Sequence, residues 1–187
     1  MYELCYFIIF LYIKRVDGIL VKDEKHKVNK KEIIEKRANK MINLFSALKL
    51  KPLKDFAAPP FTKWLNGRIL DVKRGEVTVE IDIRAEMSNP TGILHGGMQC
   101  AILDDVIGMT TVTLGYEGFL ISIDMHVDFL GKVKIGETIK AHGIIKREGR
   151  HIVHADAELI DKNGKVIATG TSNLLVTHYK KEYSTVI

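Results

Sequence analysis

Two adjacent carboxylates, Asp104 and Asp105, stand in the middle of the apolar run GGMQCAILDDVIGMTTVTL, residues 96–114. Apart from Gln99 they are its only strongly polar side chains. The run reads as a helix that is apolar on nearly all sides, the pattern of a helix enclosed by protein. A buried carboxylate is costly unless it is paired or put to use. One reading is structural, an Asp that caps a kink or meets a lysine. The other makes one of the two an acid, base or nucleophile. They diverge by about 100° around a helix, so they face different neighbours. Gly97, Ala101, Asp104, Gly108 and Thr111 recur at helical spacing as a stripe of small residues. Small residues admit another backbone at close range, so the stripe is expected to meet a second helix across a symmetric dimer. Asp104 lies within that stripe and is the candidate.

The start of the same helix supplies a second element. His95-Gly96-Gly97 puts two residues without side chains where the first turn exposes its unpaired N–H groups. Such a terminus carries partial positive charge and can hold the oxyanion that develops on a carbonyl under attack. A glycine in this place can equally be a loop requirement. Asp104 follows His95 by nine residues, about 14 Å along a helix. A carboxylate that far away cannot serve a carbonyl held at its own helix N-terminus. An antiparallel partner helix would bring the two ends together, so the site is expected to be built from two chains.

The elements that position these groups follow from periodicity. Residues 29–48 read as an amphipathic helix with the apolar stripe Ile34, Ala38, Met41, Phe45 and Leu48. KPLKDFAAPPF, residues 51–61, holds three prolines and interrupts it. From Gly67 the period becomes two, with Val77, Val79, Ile81 and Ile83 alternating with Thr78, Glu80, Asp82 and Arg84. After the central helix the alternation resumes in four segments, near 121–129, 139–145, 153–159 and 166–176, expected to form an antiparallel meander. Asn163-Gly164 marks a tight hairpin before the last. The expected fold class is α+β, an antiparallel sheet against one long helix with an extra N-terminal helix. The expected organisation is an N-terminal appendage over 1–60, one domain over 61–180 and a tail over 181–187.

Composition bounds the function classes. The chain has 187 residues and is 46% hydrophobic, enough for one cored domain plus an appendage. Its two cysteines, Cys5 and Cys100, offer no disulfide framework, which fits a reducing cytoplasm. No His or Cys pair has metal-ligand spacing. The net charge of +5 belongs to the N-terminal part: residues 14–54 carry 13 Lys or Arg against 5 acids. Such a run reads as a solvated face, with an anionic membrane surface as the functional alternative. No nucleic-acid-binding motif accompanies it. The apolar stretch 1–13 is too short to span a bilayer, which takes about 20 residues.

The spacing Asn89, five residues, His95-Gly96-Gly97, six residues, Asp104 resembles the signature of PaaI-type hotdog thioesterases. The resemblance extends over residues 67–178, including the phrase ISIDMHVDFLGKVKIGE after the helix. It implies a sheet wrapped round a central helix, homodimers often paired into tetramers, and hydrolysis of an acyl- or aryl-acyl-CoA without metal or organic cofactor. It implies that Asp104 is nucleophile or general base and that Gly97 and Gly96 donate N–H groups to the thioester oxygen. Asn89 and His95 would orient the thioester or the attacking water. Ser122 stands where some members have a water-positioning serine. By strand parity it shares a face with Asp124 and His126, opposite the apolar row, which leaves its aim at the site open. The phosphates of CoA need cations, for which Lys132, Lys134, Lys146, Arg147 and Arg150 are candidates. Two rivals stand beside hydrolysis. One is a non-catalytic acyl-CoA sensor with the same fold, which has no need of a buried carboxylate. The other is a hydratase, whose Asp and His constellation is not found here.

Overall fold

Alternating β-branched residues make strands where one face of the chain can be buried, and the sequence offers that pattern in most of its second half. The computed structural model describes residues 30–177; the apolar run 1–13 and the tail 181–187 lie outside them. Helix α1 spans Lys30–Ala47, and a 3-10 turn at Leu53–Asp55 and the short helix α2, Pro60–Leu65, follow it. Strands β1 (Arg68–Lys73) and β2 (Glu76–Asp82) precede the central helix α3, Gly96–Val112. After it come β3 (Leu120–Ser122), β4 (His126–Phe129), β5 (Thr138–Glu148), β6 (Ile152–Ile160) and β7 (Val166–Val176). All pairings are antiparallel, in the order β1-β2-β5-β6-β7, with β3 and β4 both on the outer edge of β7. The sheet wraps α3, which is the hotdog arrangement.

The alternation in β2 works as read: Val77, Val79 and Ile81 are buried, and Thr78 and Glu80 face outward. Opposite them α3 buries Ile102, Leu103, Val106 and Ile107. Gly143 on β5 lets the helix lie close, since a Cβ there would meet the Thr110 hydroxyl at 2.5 Å. The turn between β6 and β7 is fixed by Asp161, whose carboxylate accepts from the N–H groups of Asn163 and Lys165. None of the described helices is long and apolar enough to cross a membrane.

Two features differ from the sequence reading. The four segments after α3 do not form a consecutive meander, because the first pairs with β7 and β5 takes β2 as its outer neighbour. Alternation shows that a segment is a strand and says nothing of its partner. The segment 121–129 is also broken. Ser122 pairs with Leu174, whereas His126 pairs with Thr171, so the register slips by one residue between β3 and β4. A bulge of this kind exchanges the two faces of the strand.

The helix at the N-terminal end is packed on the domain. Ala38 is wholly buried, and Gly115, just past α3, lies so near α1 that a Cβ would sit 2.1 Å from the Ile34 carbonyl oxygen. The chain then runs beside β1, where Leu50 and Leu53 donate N–H groups to the carbonyls of Ile69 and Gly67. That segment covers the β1 edge of the sheet. At the other edge, no strand among the described residues pairs with the free side of β3 and β4.

Candidate active site

The two carboxylates of α3 part company as their angular separation requires. Asp105 turns inward and accepts a hydrogen bond from the Thr62 hydroxyl of α2 at 2.7 Å. Burial pushes its carboxyl up to about 6, against the smaller downward pull of Thr62 and with the Asp104 charge adding to the rise. Asp105 thus fits the structural alternative. Asp104 is exposed, and its Oδ1 accepts a hydrogen bond from the Ser122 hydroxyl at 3.0 Å. Ser122 therefore faces the helix, which overturns the parity reading. The slip between β3 and β4 puts Ser122 on the inward face with its register partner Leu174, and Met125 and Val127, beyond the slip, also pack against the core.

At the head of the helix His95 is the N-cap, and its Nδ1 accepts from the Gly97 N–H at 2.9 Å. The Gly97 N–H is thus held by an exposed imidazole. The Gly96 N–H has no partner among the described residues. A Cβ on Gly96 would touch the Phe129 ring at 3.4 Å, so β4 forms a wall over the first turn. Phe129 is a site neighbour that the sequence reading did not single out, because its membership of an apolar row gave no hint of its contact. The Asn89 side-chain oxygen accepts from Thr91 N–H at 2.9 Å, from the Thr91 hydroxyl at 2.7 Å and from Ile93 N–H at 3.4 Å. It shapes the loop that leads into the helix, and its amide nitrogen has no partner among the described residues.

The small-residue stripe is largely uncovered. Gly97 and Asp104 are exposed, Ala101 and Gly108 are half-buried, and only Thr111 is buried. Nothing lies within 4 Å of a Cβ built on Gly108. The candidate cations fall into two groups. Lys132 and Lys134 flank Val133, whose carbonyl accepts from Leu94 N–H beside the helix start. Lys146, Arg147 and Arg150 lie at the far end of the β5–β6 hairpin, where Lys146 is 3.8 Å from Asp156.

Comparison with known proteins gives one picture. The Thioesterase superfamily profile matches residues 91–168. Human acyl-coenzyme A thioesterase 13 is 28% identical over 97 residues, covering 51% of this chain and 69% of that protein. A putative esterase of Caenorhabditis elegans is 31% identical over 108 residues, covering 56% of this chain and 63% of that protein. Among solved structures, zebrafish thioesterase superfamily member 2 superposes with a TM-score of 0.60 at 26% identity, over 75% of this chain and 98% of that one. The Escherichia coli PaaI protein reaches a TM-score of 0.64 at 16% identity, over 79% and 98%. Residues 91–168 thus match the thioesterase superfamily, and the chain's fold is the hotdog fold of the PaaI proteins.

Proposed function

We propose that the protein hydrolyses acyl-CoA thioesters to the free acid and CoA. The observation that carries this is the exposed Asp104, held by Ser122 at 3.0 Å, on the helix whose glycine-rich N-terminus leaves the Gly96 N–H without a partner among the described residues. Relatives named acyl-coenzyme A thioesterase support it, as does a Streptococcus mutans protein of the same fold solved with acetyl CoA. In this reading the thioester oxygen sits against the Gly96 N–H, and the Gly97 N–H joins when the His95 ring turns away. Water, or Asp104 itself, adds to the carbonyl carbon. When water adds, Asp104 takes its proton, the C–S bond breaks and CoA leaves as the thiol with that proton; when Asp104 adds, the C–S bond breaks and CoA leaves as the thiolate. If Asp104 attacks directly, water hydrolyses the resulting anhydride. Ser122 orients the carboxylate, and Asn89 and His95 orient the substrate from the loop.

Gly96 and Asp104 of one chain are eight residues apart, about 12 Å along the helix. The working site is therefore a composite, with Asp104 of the partner subunit facing this chain's helix N-terminus. The uncovered stripe on α3 and the unpaired β3–β4 edge, with Ile123, Phe129 and Leu130 exposed on it, support a two-fold dimer. The test is thiol release from a panel of acyl- and aryl-acyl-CoAs by wild type, Asp104→Ala and Asp104→Asn. Turnover is expected to fall at least 100-fold in both variants, a magnitude on the order of general-base loss. Equal rates would sink the assignment, and tight acyl-CoA binding without turnover in wild type would replace it with a sensor.

A further inference from the structure

Phe129 stands against the head of α3 and is nevertheless 55% exposed. Val127, two residues earlier on β4, packs against the core, so alternation turns the Phe129 ring to the same inward face. The ring stays uncovered because the helix opposite it begins with Gly96, which has no side chain to lay over it. A Cβ built on Gly96 would lie 3.4, 3.5 and 4.0 Å from Cε1, Cζ and Cδ1 of the ring. Both sides of this gap are held. Behind the ring, Leu130 and Gly131 each donate an N–H group to the Ile167 carbonyl at 2.9 Å. The helix start is tied to the segment after β4 by the Leu94 N–H, which donates to the Val133 carbonyl at 2.8 Å. Beside the ring is the Gly96 N–H, the one such group of the first turn without a partner among the described residues. The Gly97 N–H is taken by the His95 ring, and those of Met98 and Gln99 by the His95 carbonyl.

We propose that Phe129 determines specificity by limiting bulk at the α-carbon of the acyl group, so that the site takes thioesters of acids unbranched there. The proposal rests on the thioesterase reading, in which the thioester oxygen accepts from the Gly96 N–H. An ordinary hydrogen bond of about 2.9 Å brings the carbonyl carbon within roughly 4 Å of that nitrogen, into contact range of the ring edge. That carbon carries two groups. The sulfur arm is the same in every CoA thioester, so only the α-carbon varies in width. A second substituent there needs space that the ring already fills, and closely packed sites resist an added carbon. Phe129 acts as a wall and takes no part in the bond changes.

A pair of isomeric ketones tests this without turnover. S-(2-Oxopentyl)-CoA and S-(3-methyl-2-oxobutyl)-CoA differ only in branching at the α-carbon. Both carry a CH2 between sulfur and carbonyl, so neither can be hydrolysed. Calorimetric titration of wild type is expected to give a Kd for the branched isomer at least about 10-fold above that for the straight one, the scale on which a tight pocket discriminates one carbon. In Phe129→Ala the ratio is expected to fall to about 2-fold or less, through tighter binding of the branched isomer. Phe119→Ala removes another exposed ring, from the loop before β3, and is expected to leave the ratio at its wild-type value. Phe129 also borders the edge on which a second chain is expected, so the mass of each variant is followed. Should the alanine variant fail to fold or to pair, Phe129→Leu keeps an apolar side chain and is expected to lower the ratio about 3-fold. Equal affinities for the two isomers in wild type, an unchanged ratio in the Phe129 variants, or an equal fall in Phe119→Ala would overturn the proposal. Binding of neither isomer would instead sink the thioesterase reading, and the role of Phe129 with it.

Discussion

At Asp105 a single hydroxyl is all that offsets burial, and the consequence is a pH-dependent cost. The folded carboxyl titrates at about 6 and the unfolded one at its ordinary 3.8. Between those values the folded state holds more protons, so stability falls as pH rises through the window and the full penalty applies above it. A shift of that size corresponds to about 3 kcal/mol. Asp105→Asn keeps an oxygen for Thr62 and removes the charge. It is expected to stabilise the protein by up to about 3 kcal/mol at pH 7.5 and by only about 0.5 kcal/mol at pH 4. Urea unfolding at the two pH values checks this, and an equal gain at both would refute the linkage. Ser122→Ala takes the hydrogen bond from Asp104 without opening the core, and turnover is expected to fall by about 10- to 100-fold, with measured KM moving far less than kcat. Asp104 was separable from Asp105 in the sequence because angular position on a helix follows directly from residue number. The aim of Ser122 was not, because one inserted residue at 123–125 reverses strand parity and no side chain there announces the insertion.

Among the elements, α1 is packed on the domain through Ala38, Ile42 and Phe45 and makes its closest backbone approach at Gly115. Valine at Gly115 would need both a left-handed backbone, φ +80°, and space now filled by the Ile34 carbonyl. Gly115→Val is expected to cost about 2–4 kcal/mol and to release α1 from the domain. Gly164→Ala is the control, for φ is +81° there with nothing within 4 Å, and backbone strain alone should cost about 1 kcal/mol. Chemical denaturation of the two variants separates clash from strain, and similar losses would show that α1 is not held by this contact. Elements were legible where periodicity is local: the α1 stripe, the β2 alternation and the Asn-Gly hairpin each lie where they were read. Partner choice within the sheet was not legible, since the pairing of β3 and β4 with β7 closes loops of about fifty residues and leaves no mark in either segment.

On the scale of the whole molecule, activity is expected to require two chains. Gly108 has open space above it within one protomer, so Gly108→Arg should fold while placing a charge in the contact between helices. Sedimentation is expected to show wild type at two or four times the 21.1 kDa of one chain, with the variant at one chain mass and without turnover. An active monomeric variant would end the composite-site reading. The expectation of two chains rests on the spacing of His95 and Asp104, whereas the surface proposed to join them depends on which sheet edge the described residues leave unpaired. That asymmetry of edges has a further outcome. Residues 50–53 bond along β1, so a two-fold that joins the β3–β4 edge to its own copy produces a longer sheet sealed at both ends. Among the described residues neither end of that sheet then offers a wholly free strand, which works against edge-to-edge growth into a fibre while leaving the sheet's outer face open to a second dimer.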